Sequence, residues 1–193
     1  MKYLSNTNTK HKARLAELAK VSSGIFAKGS PSGHIAYLQV KDLLMPSPET
    51  TASRIENSPK LRNYILNKGD LLFAGKGVTY LCEVFDLEIL AVPSTTLYSI
   101  KLHSDKILPD YLCWYLNHPK TVAFIKASQA GTGTPLIHKA TLENIEIIIP
   151  SKKEQQQIVE LSTLQKREKE LINTIAEKRE QLTNQILINE LYK

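Results

Sequence analysis

Apolar positions recur with helical spacing over about the last 40 residues of this chain of 193. Just before them, a run of isoleucines stops at Pro150, and a charged, Gln-rich segment follows at once. This pattern predicts a buried strand and then a helix that ends near Asn189. Such a helix is too long for the core of a small domain to cover. We therefore expect much of its apolar face to meet another helix, from this chain or from a second copy.

The apolar stripe on the predicted helix is wide and is not a strict heptad seam. With Leu161 at the first heptad position, the seam is interrupted by Glu168 and Lys178, while Ile172 widens it on one side. This pattern is typical of a helix in a multi-helix assembly, and a helix folded back on its own domain is the alternative. The residues predicted to form the interface of a homodimer are Leu161, Leu164, Leu171, Ile175, Leu182 and Ile186.

Shorter periods fill the first 150 residues. Helical spacing predicts a helix at Pro109–Asn117 that continues or restarts over residues 118–126, and residues 14–21 form a short apolar-periodic segment. Polar residues 1–12 are expected to fray, and residues 43–59, with three prolines, to be irregular. The predicted strands are residues 34–40, two strands hinged at 68–70 within 64–73, a hairpin of 79–85 and 87–92, and the strands 95–102 and 142–149.

These elements indicate an α+β fold in two parts. Residues 1–150 are predicted to form a mainly short-stranded β domain with packed helices. Residues 151–193 are predicted to form one long C-terminal helix, which pairs as an antiparallel coiled coil in a dimer. No internal repeat divides the first part further.

Composition narrows the class of protein. Hydrophobic residues make up 42% and charged residues 23%, as in a globular chain. No apolar run approaches the roughly 18 residues of a membrane span, and the N-terminus lacks the apolar region of a signal peptide. Cys82 and Cys113 lie far apart, without metal-binding or redox spacing. We therefore expect a cytoplasmic protein with no membrane partner, whose thiols are buried and form neither a disulfide nor a zinc site.

The net charge of +6 is concentrated in the first part of the chain. Residues from 152 onward hold eight Lys or Arg and seven Asp or Glu, so the first 151 residues carry the other +5. An excess of cations on the globular part suits an anionic partner such as nucleic acid. A mildly basic domain without such a partner would have the same composition.

Several motifs that carry chemistry are absent from the sequence. No lysine follows an acidic residue at the two-position spacing of common metal-dependent nucleases, and no glycine-rich nucleotide loop occurs. The segment Asn117-His118-Pro119 does not match the Asn-Pro-Pro-aromatic motif for methylation of a base amino group. The five histidines have no ligand spacing. We therefore predict no catalytic residue, no metal site and no cofactor.

Three polar loops share small residues, hydroxyls and a lysine. They are loop 1 (residues 24–33), loop 2 (residues 74–80) and loop 3 (residues 128–139). Lysines can neutralise phosphates, and hydroxyls can bond phosphates or base edges, although each loop alone could be an ordinary turn. Lys28, Lys76 and Lys139 are predicted to contact phosphates. Tyr80, Thr132, Thr134 and His138 are predicted to lie nearer the base edges or the sugar-phosphate wall. The full set of predicted DNA-binding residues is Lys28, Ser30, Ser32, Lys76, Thr79, Tyr80, Thr132, Thr134, His138 and Lys139.

The order of segments resembles the specificity (S) subunit of Type I restriction-modification systems, of which this chain is similar to one half. The most specific matching segment is the strand, Pro150, short spacer and Glu154-Gln155 at the start of the long helix. The second is Gly69-Asp70 followed by Leu-Leu-Phe. The other matching segments are residues 15–18 followed by 23–24, 37–42, 66–68 ahead of 76–77, 108–112 with 115–116, and 131–134.

The resemblance implies a target recognition domain followed by one spacer helix. A complete S subunit has two such units, each reading half of a split DNA target, with its two long helices packed antiparallel. It does no chemistry and docks a methyltransferase subunit, and in the full complex a restriction subunit, onto double-stranded DNA. Because this chain has one unit, it could pair with itself or with a different half-subunit, or be a fragment of a longer product.

Other functions fit the same sequence features. The domain could recognise DNA for another phage-defence or modification assembly. It could instead be a protein–protein scaffold whose basic face meets no DNA, or an enzyme with an unrecognised site. Salt-dependent binding to duplex DNA would separate the DNA-binding alternatives from the scaffold.

Overall fold

The computed structural model describes residues 11–77, 79–128 and 136–192. The chain divides into two compact units between Gln155 and Gln156. The first unit is an α+β domain of short strands, and the second continues a long helix, so the predicted fold class is confirmed.

Nine strands and seven α-helices lie within the described residues, together with a 3₁₀ turn at Pro59–Leu61. The strands are His11–Arg14 (β1), Ala19–Ser23 (β2), Ile35–Leu38 (β3), Ser53–Ile55 (β4), Leu71–Ala74 (β5), Cys82–Val84 (β6), Ala91–Pro93 (β7), Leu97–Leu102 (β8) and Glu146–Ile149 (β9). The helices are Leu15–Leu18 (α1), Val40–Leu43 (α2), Pro48–Thr51 (α3), Pro109–Asn117 (α4), Pro119–Ala127 (α5), Lys139–Glu143 (α6) and Lys152–Leu191 (α7).

The strands form three sheets. An antiparallel sheet has the order β2–β8–β5–β6, a mixed sheet has the order β4–β3–β7, and β1 pairs with β9. Leu38 of β3 and Leu72 of β5 belong to one buried cluster, so the two larger sheets pack on each other. Ile35 and Tyr37 of β3 belong to a second cluster, on the other face of the mixed sheet. Strand β3 is therefore buried on both faces, which agrees with its parallel pairing to β7.

Several predicted elements are wrong, because strand pairing depends on tertiary contacts as well as on the local pattern. The predicted hairpin of residues 79–85 and 87–92 does not form, since β6 pairs with β5 while β7 pairs in parallel with β3. Of the two strands predicted within residues 64–73, only β5 is a strand. The segment predicted to fray includes His11 and Lys12, which pair with β9. Strand β2 and helices α2 and α6 were not predicted, and residues 43–59, predicted to be irregular, contain α3 and β4.

A tight turn precedes β5 and depends on Asp70. Gly69 has φ +89°, a left-handed conformation that favours glycine. The Asp70 carboxylate accepts the Asn67 N–H at 2.8 Å and pairs with Lys101 Nζ at 3.0 Å. The Asp70 carbonyl accepts the Phe85 N–H at 2.7 Å, which ties the turn to the residue after β6. The Gly-Asp segment of the family resemblance is thus a structural turn.

Helix α7 begins with a capping box. The Ser151 hydroxyl accepts the Glu154 N–H at 3.3 Å, and Glu154 Oε2 accepts the Ser151 N–H at 2.9 Å. These bonds satisfy backbone groups that the first helical turn leaves open. Pro150 before the cap ends β9, so the sequence changes from strand to helix within two residues.

Gln155, in the first turns of α7, is fully buried. Its Oε1 accepts the Leu108 N–H at 2.9 Å, and its Nε2 donates to the carbonyls of Lys106 at 2.8 Å and Pro150 at 2.9 Å. One side chain therefore joins the start of α7, the end of β9 and the segment before α4. Glu154 and Gln155 therefore both have structural roles at the start of α7, the first in the cap and the second in this buried network.

The two cysteines lie close together although 30 residues separate them. Cys82 is buried in the edge strand β6, and burial raises the pKa of its thiol. Cys113 is half-buried, so the prediction of two buried thiols is confirmed for Cys82 and wrong for Cys113. The Cys113 Sγ donates to the Cys82 carbonyl at 3.1 Å. The Asn117 side chain accepts the Cys82 N–H at 2.8 Å and donates to the Cys82 carbonyl at 2.7 Å. Both cysteines are free thiols.

Candidate nucleic-acid interface

Loops 1 and 2 leave the antiparallel sheet at the same end. Strands β2 and β5 both run antiparallel to β8, so the last residues of each lie beside the first residues of β8. Ser23 at the end of β2 pairs with Tyr98, and Ala74 at the end of β5 pairs with Leu97. The Gly24 N–H donates to the Leu97 carbonyl at 3.0 Å, which fixes the first residue of loop 1 at this end.

The described part of loop 3 lies against loop 2. Leu136 forms an antiparallel bridge with Lys76, and the Ile137 N–H donates to the Gly75 carbonyl at 2.9 Å. The Tyr98 hydroxyl donates to the Ile137 carbonyl at 2.8 Å. The fold therefore brings together two loops that are about 60 residues apart and attaches both to the start of β8.

The loop glycines permit close packing within the protein. A Cβ atom on Gly24 would collide with the Ser94 carbonyl, and one on Gly75 would overlap the ring of Tyr98. Gly77 differs, because it has φ +93° and a Cβ atom added to it would meet nothing within 4 Å. Gly24 and Gly75 thus hold loops 1 and 2 against the sheet end, which is a different role from a close approach to phosphate.

The predicted phosphate contacts differ in their surroundings. Lys28 and Lys76 are exposed, and within residues 11–77, 79–128 and 136–192 neither forms an ion pair. Lys139 is also exposed but pairs with Glu143 one helical turn along α6, at 3.3 Å. An exposed pair of this kind is weak, so a phosphate could replace the carboxylate.

The residues predicted to lie nearer the bases are only partly placed. His138 is exposed next to α6, and Thr79 and Tyr80 are half-buried in loop 2. Lys126 Nζ lies 4.9 Å from the centre of the Tyr80 ring, a cation–π contact that adds a further lysine beside loop 2. Thr132 and Thr134 lie outside the described residues.

Ser30 and Ser32 of loop 1 are engaged with a carboxylate. Their hydroxyls donate to Glu56 Oε1 at 2.9 and 3.0 Å, and these bonds, that from Ser30 first, hold the pKa of Glu56 below its usual range. The Ser30 N–H donates to the Arg54 carbonyl, near the start of β3, whereas Ile25 bridges Ser94 near its end. Loop 1 therefore runs along β3, and the two serines lie toward the start of β3, away from the sheet end at which loop 1 begins.

Comparison with known proteins identifies the family. Residues 9–184 match the Type I restriction modification DNA specificity domain.

The chain belongs to this family.

The match covers most of the sequence, so the resemblance stated from the sequence is confirmed. No curated protein sequence matches the chain.

Solved structures have the same fold as this specificity domain. The S subunit of a Type I restriction-modification system from M. genitalium matches with a TM-score of 0.58 and 18% identity, over 93% of this chain and 45% of that chain. A chain from a type I R-M system described for its complex assembly and conformational transition has a TM-score of 0.68 and 19% identity, over 90% and 43%. The HsdS subunit from Thermoanaerobacter tengcongensis has a TM-score of 0.62 and 17% identity, over 86% and 40%. This chain spans less than half the length of each.

One residue of the specificity domain's loop 1 was missed by sequence reasoning. Phe26 is 81% exposed, while the residues on either side of it are half-buried. In the sequence, Phe26 stands between the apolar residues Ile25 and Ala27 and is therefore easily taken for a core residue. The one signal that could have indicated its exposure is its position inside a polar loop.

The described residues of the specificity domain contain neither a metal-binding cluster nor a membrane-spanning helix. No group of three or more His, Cys, Asp or Glu side chains is placed to hold a metal ion. None of the described helices combines the length and the apolar character needed to cross a membrane.

Proposed function

We propose that this chain is one half of a DNA specificity subunit. Residues 1–150 would bind one half-site of double-stranded DNA, and residues 151–193 would form the spacer and dimerisation helix. The chain would be non-catalytic and cytoplasmic, and would dock a methyltransferase subunit, with a restriction subunit in the full complex, onto its target. The observation that carries this proposal is the gathering of loops 2 and 3 and the start of loop 1 at one sheet end, beside exposed lysines.

The charge at this sheet end supports DNA as the ligand. Lys28 and Lys76 project from their loops without an ion-pair partner among the described residues. A phosphate could therefore bind either lysine without first breaking an ion pair within the protein. Most of the chain's excess positive charge also lies before residue 152. Phosphate contacts would position the domain, and the remaining loop side chains would read the bases.

Salt dependence tests this assignment. The affinity of the full chain for duplex DNA is measured at several salt concentrations, for the native protein and for Lys28→Ala, Lys76→Ala and Lys139→Ala. Each substitution should weaken binding on all sequences and reduce the salt slope by about one unit. An unchanged slope in the triple variant would refute the loop assignment. Absence of salt-dependent binding in the native protein would favour the scaffold alternative.

The exposed stripe of α7 supports a dimer. Its six predicted interface residues are 47% to 69% exposed in the single chain. A second copy offers the same stripe, and a two-fold axis perpendicular to α7 would bring the two copies together in antiparallel orientation. The about 35 residues after Gln155 would span roughly 50 Å at about 1.5 Å per residue. Each recognition domain would then lie near one end of the helix pair.

This arrangement determines the form of the DNA target. Identical domains related by a two-fold axis read an inverted repeat, and a separation of roughly 50 Å corresponds to about one to one and a half DNA turns. The target would be a split palindrome with an unread spacer, methylated once on each strand. Adding about five base pairs to the spacer would turn one half-site to the far side of the duplex.

Methylation mapping in cells with and without this chain, together with capture of its native partners, tests the whole proposal. We expect a bipartite methylated motif that disappears without the chain, and a methyltransferase among the partners. An asymmetric bipartite motif would mean that the chain pairs with a different half-subunit. A continuous motif without a spacer would contradict the helix-ruler geometry.

A further inference from the structure

Phe26 of loop 1 projects into solvent at the candidate interface. At 81% exposure it is the most exposed large apolar side chain among the described residues of the first unit. A single exposed apolar residue is common on protein surfaces and needs no explanation by itself. The way in which the surrounding backbone is held makes Phe26 unusual.

One buried hydroxyl braces the backbone on both sides of Phe26. The Tyr37 hydroxyl donates to the Ile25 carbonyl at 3.0 Å and accepts the Ala27 N–H at 3.4 Å. The Ile25 N–H donates to the Pro93 carbonyl at 3.0 Å. Ile25 and Ala27 also pack against the apolar cluster that contains Tyr37. Both neighbours of Phe26 therefore face inward on a fixed backbone, and the ring between them faces outward.

The surroundings of Phe26 suit a polyanion that also has apolar surface. Phe26 lines a groove together with Lys28 and Lys60, and Ser58 adds a hydroxyl. Glu56 is the acidic member of this groove, and its Oε1 is occupied by two serine hydroxyls. Ile25, Ala27, Ile55 and Leu61 also line the groove, but Ile55 and Leu61 are buried, so Phe26 is its one strongly exposed large apolar side chain. The lysines beside this ring favour a polyanion over a purely apolar protein partner. Duplex DNA is such a polyanion, with phosphates outside and apolar base surfaces within the grooves.

We propose that Phe26 contacts the bases of bound DNA and is a specificity-determining residue of the domain. This inference rests on the proposed function. The ring would make an apolar contact either with a thymine methyl group at the base edge or with base faces after insertion between two base pairs. The braced backbone reduces the conformational entropy lost when the contact forms.

The first experiment compares three full-length proteins on duplexes with a random core. These are the native chain, Phe26→Ala, and Phe124→Ala as a matched control. Phe124 is 55% exposed and lines a separate groove with Tyr115 and Glu146. The native chain and the control should enrich the same motif. Phe26→Ala should bind the enriched duplex roughly tenfold more weakly with an unchanged salt slope, since no charge is lost.

Two substitutions in the enriched duplex distinguish the forms of the contact. Replacing each thymine with uracil removes one methyl group, and a methyl contact predicts a loss of affinity for the native chain that Phe26→Ala does not share. Placing 2-aminopurine at each step reports unstacking, and insertion predicts a fluorescence increase with the native chain alone. A response in either arm supports the inference. Silence in both arms overturns it, even if Phe26→Ala binds weakly.

The failure of this inference differs from the failure of the proposed function. If the native chain enriches no motif and binds no duplex, both fail. If the native chain binds, and Phe26→Ala enriches the same motif with an affinity within about twofold, the inference about Phe26 fails while the proposed function stands. Because Phe26 is exposed, its replacement should leave thermal unfolding unchanged, and melting curves of the three proteins check this.

Discussion

The first unit of this specificity domain buries most of its large apolar side chains, whereas the long helix leaves most of its apolar side chains exposed. In the first unit, Leu15 and Phe73 are at most 1% exposed, and even the polar Gln155 is fully buried with its hydrogen bonds satisfied. Along α7, Leu161 is 69% and Leu182 is 62% exposed. The first unit thus buries its own apolar core. The apolar stripe of α7, by contrast, remains exposed in the single chain.

This difference teaches that two sources of stability act along one chain. The first unit is stabilised by packing and by buried polar networks, which depend on contacts distant in sequence. An isolated helix gains little from propensity alone and depends on the packing of its apolar face. The two regions should therefore lose stability under different substitutions.

The largest effect is expected from charging the stripe of α7. The double substitution Leu171→Glu and Ile175→Glu would place two carboxylates in the proposed dimer seam and should cost several kcal/mol of association, roughly the penalty for burying unpaired charge. Sedimentation at equal concentration should show a dimer for the native chain and a monomer for the variant. The control Asn173→Glu with Asn184→Glu adds the same charge away from the stripe and should remain dimeric. A native monomer at micromolar concentration would refute the dimer.

The next largest effect is expected from Gln155. Replacing it with Leu would leave the Leu108 N–H and the carbonyls of Lys106 and Pro150 without the partner described here. We expect a loss of about 2–4 kcal/mol in the free energy of unfolding, because buried polar groups would lose their bonds. Denaturant unfolding followed by Trp114 fluorescence measures this. The control Gln156→Leu changes an exposed neighbour, and an equal loss there would contradict the argument.

A smaller effect should separate two Asp–Lys pairs of the first unit. Asp70 is 8% exposed and its carboxylate also accepts the Asn67 N–H, so Asp70→Ala should cost about 1–3 kcal/mol of unfolding free energy. The pair of Asp86 with Lys68 has a similar distance, 2.9 Å, but both side chains are mostly exposed. Asp86→Ala should leave unfolding nearly unchanged. Equal effects would mean that burial does not decide the strength of these pairs.

The smallest effect concerns Glu56 in loop 1. Replacing Ser30 and Ser32 with Ala should return the pKa of Glu56 toward its ordinary value, which NMR titration of the carboxyl would follow. Because the folded pKa is lowered, the two bonds stabilise the native chain at neutral pH, and their contribution is lost as the pH falls through the folded pKa. Ser58→Ala is the control, since the Ser58 hydroxyl accepts the Lys60 N–H. An unchanged pKa in the double variant would contradict this cause.

Local signals allowed the sequence to predict the longer helices better than the pairing of the strands. Helix α4 forms at Pro109–Asn117 as predicted, because a proline and an acidic residue begin it. Helix α7 likewise begins and ends close to its predicted limits. Strands β6 and β7 were wrongly paired, since neighbouring strands in sequence usually form hairpins and here each pairs elsewhere.

The candidate interface was predictable only in part. Residue types indicated which loops were polar, but the joining of loops 2 and 3 depends on the bridge between Lys76 and Leu136, which no local pattern encodes. The position of Ser30 and Ser32 toward the start of β3 follows from the course of loop 1 along this strand. Phe26 was missed because its exposure is decided by the hydroxyl of Tyr37.

The side chain of Asn117 has a consequence for aggregation. Strand β6 is at the edge of its sheet, and an open edge is a template on which a strand of another molecule can add. The Asn117 amide occupies both the N–H and the carbonyl of Cys82, as a neighbouring strand would. This short edge is thereby closed to intermolecular β-pairing at its first residue. One route to unwanted fibrils is thus obstructed by a single amide.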